Sequence, residues 1–418
     1  MDRRSRESSE YAAGLDRADP LAAFRARFYV PAGKIYLDGN SLGLASIDAE
    51  RSVLAARESW KTQGIEAWTD GRSGDSAWFD LAERLGAIEA PLVGALPHEV
   101  VVTGGTTVNL HALVATFYEG PGRIVTDDRN FPSDVYALRS QAALRSGSLT
   151  VVTSGDEPEE ALIDALDGAA LLLVSSIDYR TGRIYDLARL AAAARSRGVA
   201  FGVDASHSVG CVPHQLHEWG IDFAFWCGYK YLNGGPGAVA GLFVHERHHG
   251  RRSALSGWWG SDKRRQFGMA LEFDPASGAG AWQIGTPPIL SLAALEGALQ
   301  INSEAGIDCI REKSLGQTGY LMDLVEALLS THGFTVATPR EPQRRGGHVA
   351  LTHDDAAGIA RALRRRGIVP DFRPPNIVRL APSALYTTYM ELWETVGALA
   401  ALVEASEQLD GGANGRVT

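Results

Sequence analysis

Between about residue 80 and residue 245, short apolar runs alternate with Ala- and Leu-rich stretches of helical length. That alternation limits the possible folds more than any other feature. The runs are Glu99–Thr103, Arg123–Thr126, Leu149–Thr153, Ala169–Ile177, Val199–Val203, Asp222–Cys227 and Ala238–Val244. Each is short and apolar and reads as a buried strand. Strands separated by helices pair mostly in parallel and carry helices on both faces, so the chain is of the α/β class. A further short strand is expected at Lys34–Asp38, and a helical piece at Asp19–Phe28.

At 418 residues the chain exceeds one ordinary core, and a second domain is expected. A long helix begins at Pro288–Gln300, and the pattern changes beyond about residue 305. The order there is helix, strand Phe334–Ala337, strand His348–Thr352, helix Ala356–Arg366, strands near Asp371 and Val378, then helix. That is a smaller α+β domain. The chain therefore divides into an arm (1–33), a large domain (34–300), a small C-terminal domain (301–409) and a disordered tail (410–418).

A net charge of −10 argues against nucleic acid or an anionic membrane as the main partner. No run approaches the ~20 apolar residues of a membrane span. The opening Met-Asp-Arg-Arg-Ser-Arg-Glu has no apolar stretch behind it, so no signal peptide is expected. Three cysteines (211, 227 and 309) make no disulfide framework and fit a reducing cytoplasm.

Two segments carry the chemistry. Asp204-Ala-Ser-His207 follows one strand, and Tyr229-Lys230 follows the next. Open α/β sheets place their ligands at such strand ends. An acid and an amine there suit pyridoxal phosphate (PLP): the amine forms an imine with the aldehyde, and the carboxylate pairs with the pyridinium nitrogen. Taken singly, the acid reads as a helix cap and the lysine as a solvated strand end. Thr103-Gly-Gly-Thr-Thr107 turns from a strand into a helix, where free N–H groups favour phosphate, and Thr106 and Thr107 could add hydroxyls. In Phe131-Pro-Ser-Asp134 the aromatic could stack on a flat ring.

Two patterns are decoys. Gly39-Asn-Ser-Leu-Gly43 matches the serine-hydrolase elbow, but Ser41 lies too early in the chain for the strands that elbow needs before it. His245-Glu-Arg-His-His249 matches a zinc-protease signature, yet it follows a strand and runs into Gly250, which reads as a solvated turn. No metal is expected.

With these residues assembled, the chain resembles the kynureninases, PLP enzymes of the aspartate-aminotransferase fold (fold type I), from about Asp19 to Tyr386. The carrying segments are Tyr36-Leu-Asp-Gly-Asn-Ser-Leu-Gly43, Thr107-Val-Asn-Leu-His111, Phe131-Pro-Ser-Asp134, Tyr179-Arg-Thr-Gly182, Asp204-Ala-Ser-His207, Trp226-Cys-Gly-Tyr-Lys-Tyr-Leu-Asn233, Gly285-Thr-Pro-Pro288 and Val378-Arg-Leu-Ala-Pro382. The resemblance implies hydrolytic Cβ–Cγ cleavage of L-kynurenine to anthranilate and L-alanine, within tryptophan catabolism and NAD biosynthesis.

It also implies residue roles. Lys230 would hold the cofactor, and Asp204 would pair with the ring nitrogen with His207 beside it. Phe131 would stack on the ring, with Thr106, Thr107, Ser133, Asp134, Ser175 and Tyr229 around the phosphate or ring. Tyr229 is open to either phosphate binding or proton relay. Trp258 and Thr286 would reach the cofactor from the partner subunit of a homodimer. Arg379 would clamp the substrate carboxylate, and Asn40 and Trp68 would lie near the aryl end. Thr286, which is Asn in the animal enzymes, and Trp68 point to the bacterial type, which favours kynurenine over its 3-hydroxy form. Gly347 stands where Ser is expected. The rival readings are a cysteine desulfurase or class V aminotransferase of the same fold, and a non-catalytic PLP-binding protein. The first needs a mobile loop cysteine, and Cys309 sits at a helix start. Intact Lys230, Asp204 and Arg379 oppose the second.

Overall fold

The computed structural model describes residues 6–70 and 77–404. The tail expected at 410–418 lies outside the described residues. The first strand, β1 (Ile35–Tyr36), is short. The next seven are β2 (Val100–Thr103), β3 (Arg123–Asp127), β4 (Ser148–Val152), β5 (Ala169–Ser175), β6 (Ala200–Asp204), β7 (Phe223–Trp226) and β8 (Ala240–Val244). They form one sheet in the order β2-β8-β7-β6-β5-β3-β4. Each falls within the apolar run expected for it or overshoots it by one residue. Only β8 runs against its neighbours. The inner strands are buried on both faces, as Leu171–Val174 in β5 show at zero exposure, while the edge strand β4 is partly exposed.

All strands of this sheet except β8 therefore end on one edge: Thr103, Asp127, Val152, Ser175, Asp204 and Trp226 share it. The order also reverses beside β3, where the chain goes out to β4 and returns to β5. Such a switch opens a crevice at the carboxyl ends of the strands.

The C-terminal part builds a second sheet. Its strands are β9 (Thr335–Val336), β10 (Val349–Thr352), β11 (Ile368–Val369), β12 (Asp371–Arg373) and β13 (Ile377–Leu380). Four of them form an antiparallel sheet in the order β12-β13-β10-β9. Helices Ile307–Leu328, Ala356–Arg365 and Tyr389–Glu404 pack on it around Leu321, Leu351, Leu363, Leu380 and Leu392.

Two elements differ from the sequence expectation. The strand near Lys34–Asp38 joins the C-terminal layer: β1 pairs in parallel with β11, Ile35 opposite Ile368. Ala381 N also donates to Leu37 O at 2.8 Å. The helix Ser9–Arg17 packs on the same layer through Ala12. The expected helix at Asp19–Phe28 is only a 3₁₀ stretch, Ala22–Arg27. Asp19 fixes that corner: its carboxylate accepts Leu21 N at 2.9 Å and pairs with Lys313 at 2.7 Å.

Candidate active site

The turn after β7 carries Tyr229 and Lys230, both half-buried. It is pinned from two sides. Asn233 N donates to Lys230 O at 3.0 Å, and Gly43 N donates to Tyr229 O at 2.8 Å. Gly43 must be glycine, because a Cβ there would lie 2.4 Å from Lys230 O and 2.3 Å from Asn233 Oδ1. Lys230 Nζ lies 5.9 Å from the Phe131 ring centre and 5.9 Å from that of Tyr229. Burial, then the neighbouring Cys227, push the Tyr229 phenol up, so it keeps its proton.

Asp204 ends β6, in register with Ser175 at the end of β5. Its Oδ1 accepts Ser206 N at 2.8 Å. Asp134 is buried beside it. Burial first, then the Asp204 charge, raise the Asp134 carboxyl well above the usual carboxylate range, while Lys230 opposes the shift. His207 is buried, and burial, then the charges of Lys230 and Arg379, hold its ring neutral.

The helices Thr106–Phe117 and Pro132–Leu144 both open toward this edge. Gly105 caps the first with no side-chain bond, which leaves its first-turn N–H groups free of a side-chain cap. Thr107 Oγ1 lies 3.1 Å from Ser133 Oγ, and Thr106 Oγ1 lies 3.1 Å from Cys227 Sγ. Hydroxyls and helix N-termini converge here, a geometry suited to an anion. Phe131 is half-exposed and meets Tyr179 edge-on at 5.3 Å.

Arg379 lies on β13 at zero exposure. Its Nε donates to Asp371 Oδ2 at 2.6 Å, Nη1 donates to Tyr179 O, and Nη2 reaches Ser41 Oγ at 3.4 Å. The loop Asp38–Gly43 thus runs between Arg379 and the Lys230 turn. Asn40 in that loop is fully buried, and neither of its amide atoms has a hydrogen-bond partner. The same holds for Ser206 Oγ, His207 Nδ1 and Asp134 Oδ2. Buried polar atoms without partners are rare, and here they mark a place shaped for a bound group.

The structure brings Lys230, Tyr229, Asp204, His207, Phe131, Ser133, Asp134, Ser175, Thr106 and Thr107 to one sheet edge. It does not bring Trp68, Trp258 or Thr286 there by ring contact or burial. Trp68 packs against Trp78 and Trp259, at 5.7 and 5.1 Å. Trp258 and Thr286 are exposed, and the Trp258 ring meets Trp259 and Phe267.

Three participants escape a residue-by-residue reading. Asn130 Oδ1 accepts Ser175 Oγ at 2.6 Å and Phe131 N at 2.9 Å, so it aims Phe131. Tyr179 touches both Phe131 and Arg379. His348 faces His207 at 6.2 Å, and burial, then Arg379, push its ring down to about 3. Asn130 directly precedes the Phe-Pro-Ser-Asp segment and Tyr179 opens another quoted segment, so both were within reach of the sequence. Gly347 also has a local reason: a Cβ there would lie 2.3 Å from Cys211 Sγ.

Residues 310–399 match the family model of the kynureninase C-terminal domain. The kynureninase of Geobacillus thermodenitrificans is 50% identical over 93% of this chain and 92% of its own length. That of Bacillus anthracis is 49% identical over 95% of each. The chain belongs to the kynureninase family.

Solved structures share the fold of the family member described here. A cysteine desulfurase from Thermococcus onnurineus superposes with a TM-score of 0.76 at 18% identity, over 92% of this chain and 98% of its own. A lysine mutant of C-DES, with glycine covalently linked to its PLP cofactor, gives 0.77 at 19% identity, over 93% and 99%. The fold is therefore that of fold-type I PLP enzymes, a large α/β sheet with a smaller C-terminal layer. Cys309 is not in a loop: it lies in the first turn of the helix Ile307–Leu328.

Proposed function

We propose that the site holds PLP and that the chain is a kynureninase, hydrolysing the Cβ–Cγ bond of L-kynurenine to anthranilate and L-alanine. Family membership supports this most strongly. The single structural observation behind it is that Lys230 and Asp204 follow adjacent strands, with Lys230 Nζ 5.9 Å from the Phe131 ring centre. The residues fit the group: open helix N-termini and hydroxyls for a phosphate, an aromatic for a ring, a carboxylate for a ring nitrogen, an amine for an aldehyde. When bound, PLP supplies an electron sink for carbanionic carbon next to the substrate amine.

Thr106, Thr107 and Ser133 bind the phosphate, with Ser175 holding Asn130 in place behind Phe131. The Asp204 carboxylate would pair with the ring nitrogen, with Asp134 buried beside it. His207, held neutral, packs beside Asp204. Lys230 Nζ would hold the cofactor's aldehyde carbon and serve as the base for the substrate's α-proton. The neutral Tyr229 hydroxyl serves as phosphate donor or proton relay. Arg379 would grip the substrate α-carboxylate from the Ser41 side, with Asn40 near the aryl end.

The finer assignments belong to the same proposal. Trp258 and Thr286 complete the partner's site in a homodimer. Phe267, Met269 and Leu271, exposed at 65, 71 and 104%, support an interface on that segment. The large domain spans 34–300 and the small one 301–409, with the N-terminal arm and β1 docked on the small one. All three cysteines are free, in keeping with a cytoplasmic enzyme of tryptophan catabolism and NAD supply. No helix is long and apolar enough to cross a membrane among the described residues. The substrate preference is for kynurenine over its 3-hydroxy form.

The test is a visible spectrum of the purified protein, followed by addition of L-kynurenine. A cofactor band that Lys230→Ala removes, with anthranilate and alanine formed in equal amounts, is the expected result. A band without anthranilate moves the chain to a related PLP reaction, desulfurase or aminotransferase. No band overturns both cofactor and function.

A further inference from the structure

Glu99, His217 and His245 converge at the end of the seven-stranded sheet remote from Lys230, and the site above uses none of them. Glu99 closes the turn Pro97–Glu99 that enters β2, His217 lies in the helix Leu216–Trp219, and His245 follows β8. The length of β2 separates the cluster from the catalytic edge by about 13 Å, at ~3.3 Å per residue. One ligand atom from each of the three side chains lies within 4.8 Å of the other two. His217 Nδ1 is 2.9 Å from Glu99 Oε1, and His245 Nδ1 is 3.5 Å from the same oxygen. The two rings stack with centres 4.8 Å apart.

The surroundings suit coordination. Glu99 is fully buried, and backbone donors aim its carboxylate: Leu96 N to Oε2 at 2.9 Å, and Glu246 N to Oε1 at 2.7 Å. Bonds of this kind orient a ligating carboxylate. His245 is half-buried beside this carboxylate. Its Nδ1 also accepts Arg247 N at 3.2 Å. A cavity of about 920 Å³, lined by His217, His245, His248 and Asp222 among others, opens beside the cluster. It gives an ion a way in and leaves room for water to complete the coordination.

We propose that Glu99, His217 and His245 form a binding site for a divalent transition-metal ion of the zinc type. Two imidazoles and one carboxylate are a donor set that zinc takes. Each ring gives its Nδ1 lone pair, His245 in exchange for the bond it accepts from Arg247 N. Where the proton of His217 sits on Nδ1, it moves to Nε2, so the neutral ring coordinates with no net proton release. The ion ties together segments 118 residues apart in sequence, Glu99 and His217. The His-Glu-x-x-His pattern lends only its first histidine. His249 turns away, with Nε2 3.0 Å from Val244 O and its ring 5.3 Å from His98. The site is a staple, not a protease centre.

The test is calorimetric titration of Zn²⁺ alone into chelator-treated protein that retains its organic cofactor. One ion per chain is expected, raising the melting temperature. His217→Ala and His245→Ala should each weaken binding at least tenfold, the lower end of what even outer-shell partners give. His98→Ala should bind as wild type. Melting in chelator shows whether each variant is folded. Independently of any variant, Co²⁺-loaded wild type should show ligand-field absorption bands. Absence of stoichiometric binding or of those bands, binding untouched by the His217 and His245 changes, or binding lost instead in His98→Ala would each overturn the proposal.

Discussion

At the two ends of the seven-stranded sheet, two groups of buried polar side chains are satisfied differently. At the carboxyl edge, Asn40, Ser206 and His207 are buried with atoms that bond to nothing in the chain. At the other end, Asp222 is paired to completion. Its Oδ2 accepts Phe201 N at 2.7 Å, and its Oδ1 takes Arg247 Nη2 and His248 Nε2, each at 2.6 Å. An unpaired buried polar group costs about 1–3 kcal/mol. A bound group that pairs with several of them offsets that cost. The contrast therefore separates a surface shaped for a large organic group from one that stabilises itself.

Substitutions can break that contrast. The largest effect is expected from Asp204→Ala: turnover falls at least about a thousandfold, within the range of lost proton-handling groups, and PLP binds weakly. Anthranilate fluorescence and a cofactor titration measure both, and full turnover with a normal spectrum would remove Asp204 from the mechanism. Arg379→Lys comes next. Loss of a charged fork should lower kcat/KM by roughly tenfold to a hundredfold, mostly through KM. At the opposite end, Asp222→Ala should leave kcat unchanged but cost about 1–3 kcal/mol in urea unfolding, because Phe201 N is left unpaired. A lowered kcat there would mean that the two ends are coupled.

The pH dependence is smaller. Burial pushes His214 down to about 4 and His348 down to about 3, so both rings stay neutral in the fold. The unfolded chain takes up those protons below the ordinary value of 6.5. Their contribution is complete above 6.5 and is lost as pH falls toward the folded values, by about 1.4 kcal/mol per pH unit for each proton. Glu89, pushed up to about 8 by burial, acts the other way: its contribution is complete below 4.5 and is lost as pH rises toward 8. Unfolding free energies across that range should peak in the middle, and Glu89→Gln should flatten the alkaline side. The smallest effect is expected for Asn40→Ala. Removing an unpaired amide should change the stability of the cofactor-free chain by less than about 1 kcal/mol, while still slowing turnover.

Legibility followed the same division. The strands and the Asp204, Phe131 and Lys230 segments could be read because each is local: an apolar run, then a polar turn. The helix N-termini at Thr106 and Pro132 carried their own glycine and proline signals. What could not be read was assembled from afar. Nothing in Lys34–Asp38 says that it pairs with residues beyond 360, and nothing in Glu99 says that it meets His217 and His245. Trp68 was assigned to the aryl end by likeness, and in the chain its ring packs among other tryptophans. The His-Glu-x-x-His pattern was rightly read as a turn, since Glu246–His248 is a single 3₁₀ turn. Its first histidine gains neighbours only through the fold.

The pairing of β1 with β11 bears on how the chain is made. Ile35 meets Ile368, so the ribosome adds 333 residues after the first before the second emerges. At ~5–20 residues per second, β1 waits roughly 20–60 s for its partner. During that wait the seven-stranded sheet can close, but the loop that carries Asn40 and braces Tyr229 has no strand to anchor it. Lys230 can therefore take its place before residue 368 exists, whereas the Asn40 loop gains its β1 anchor only afterwards.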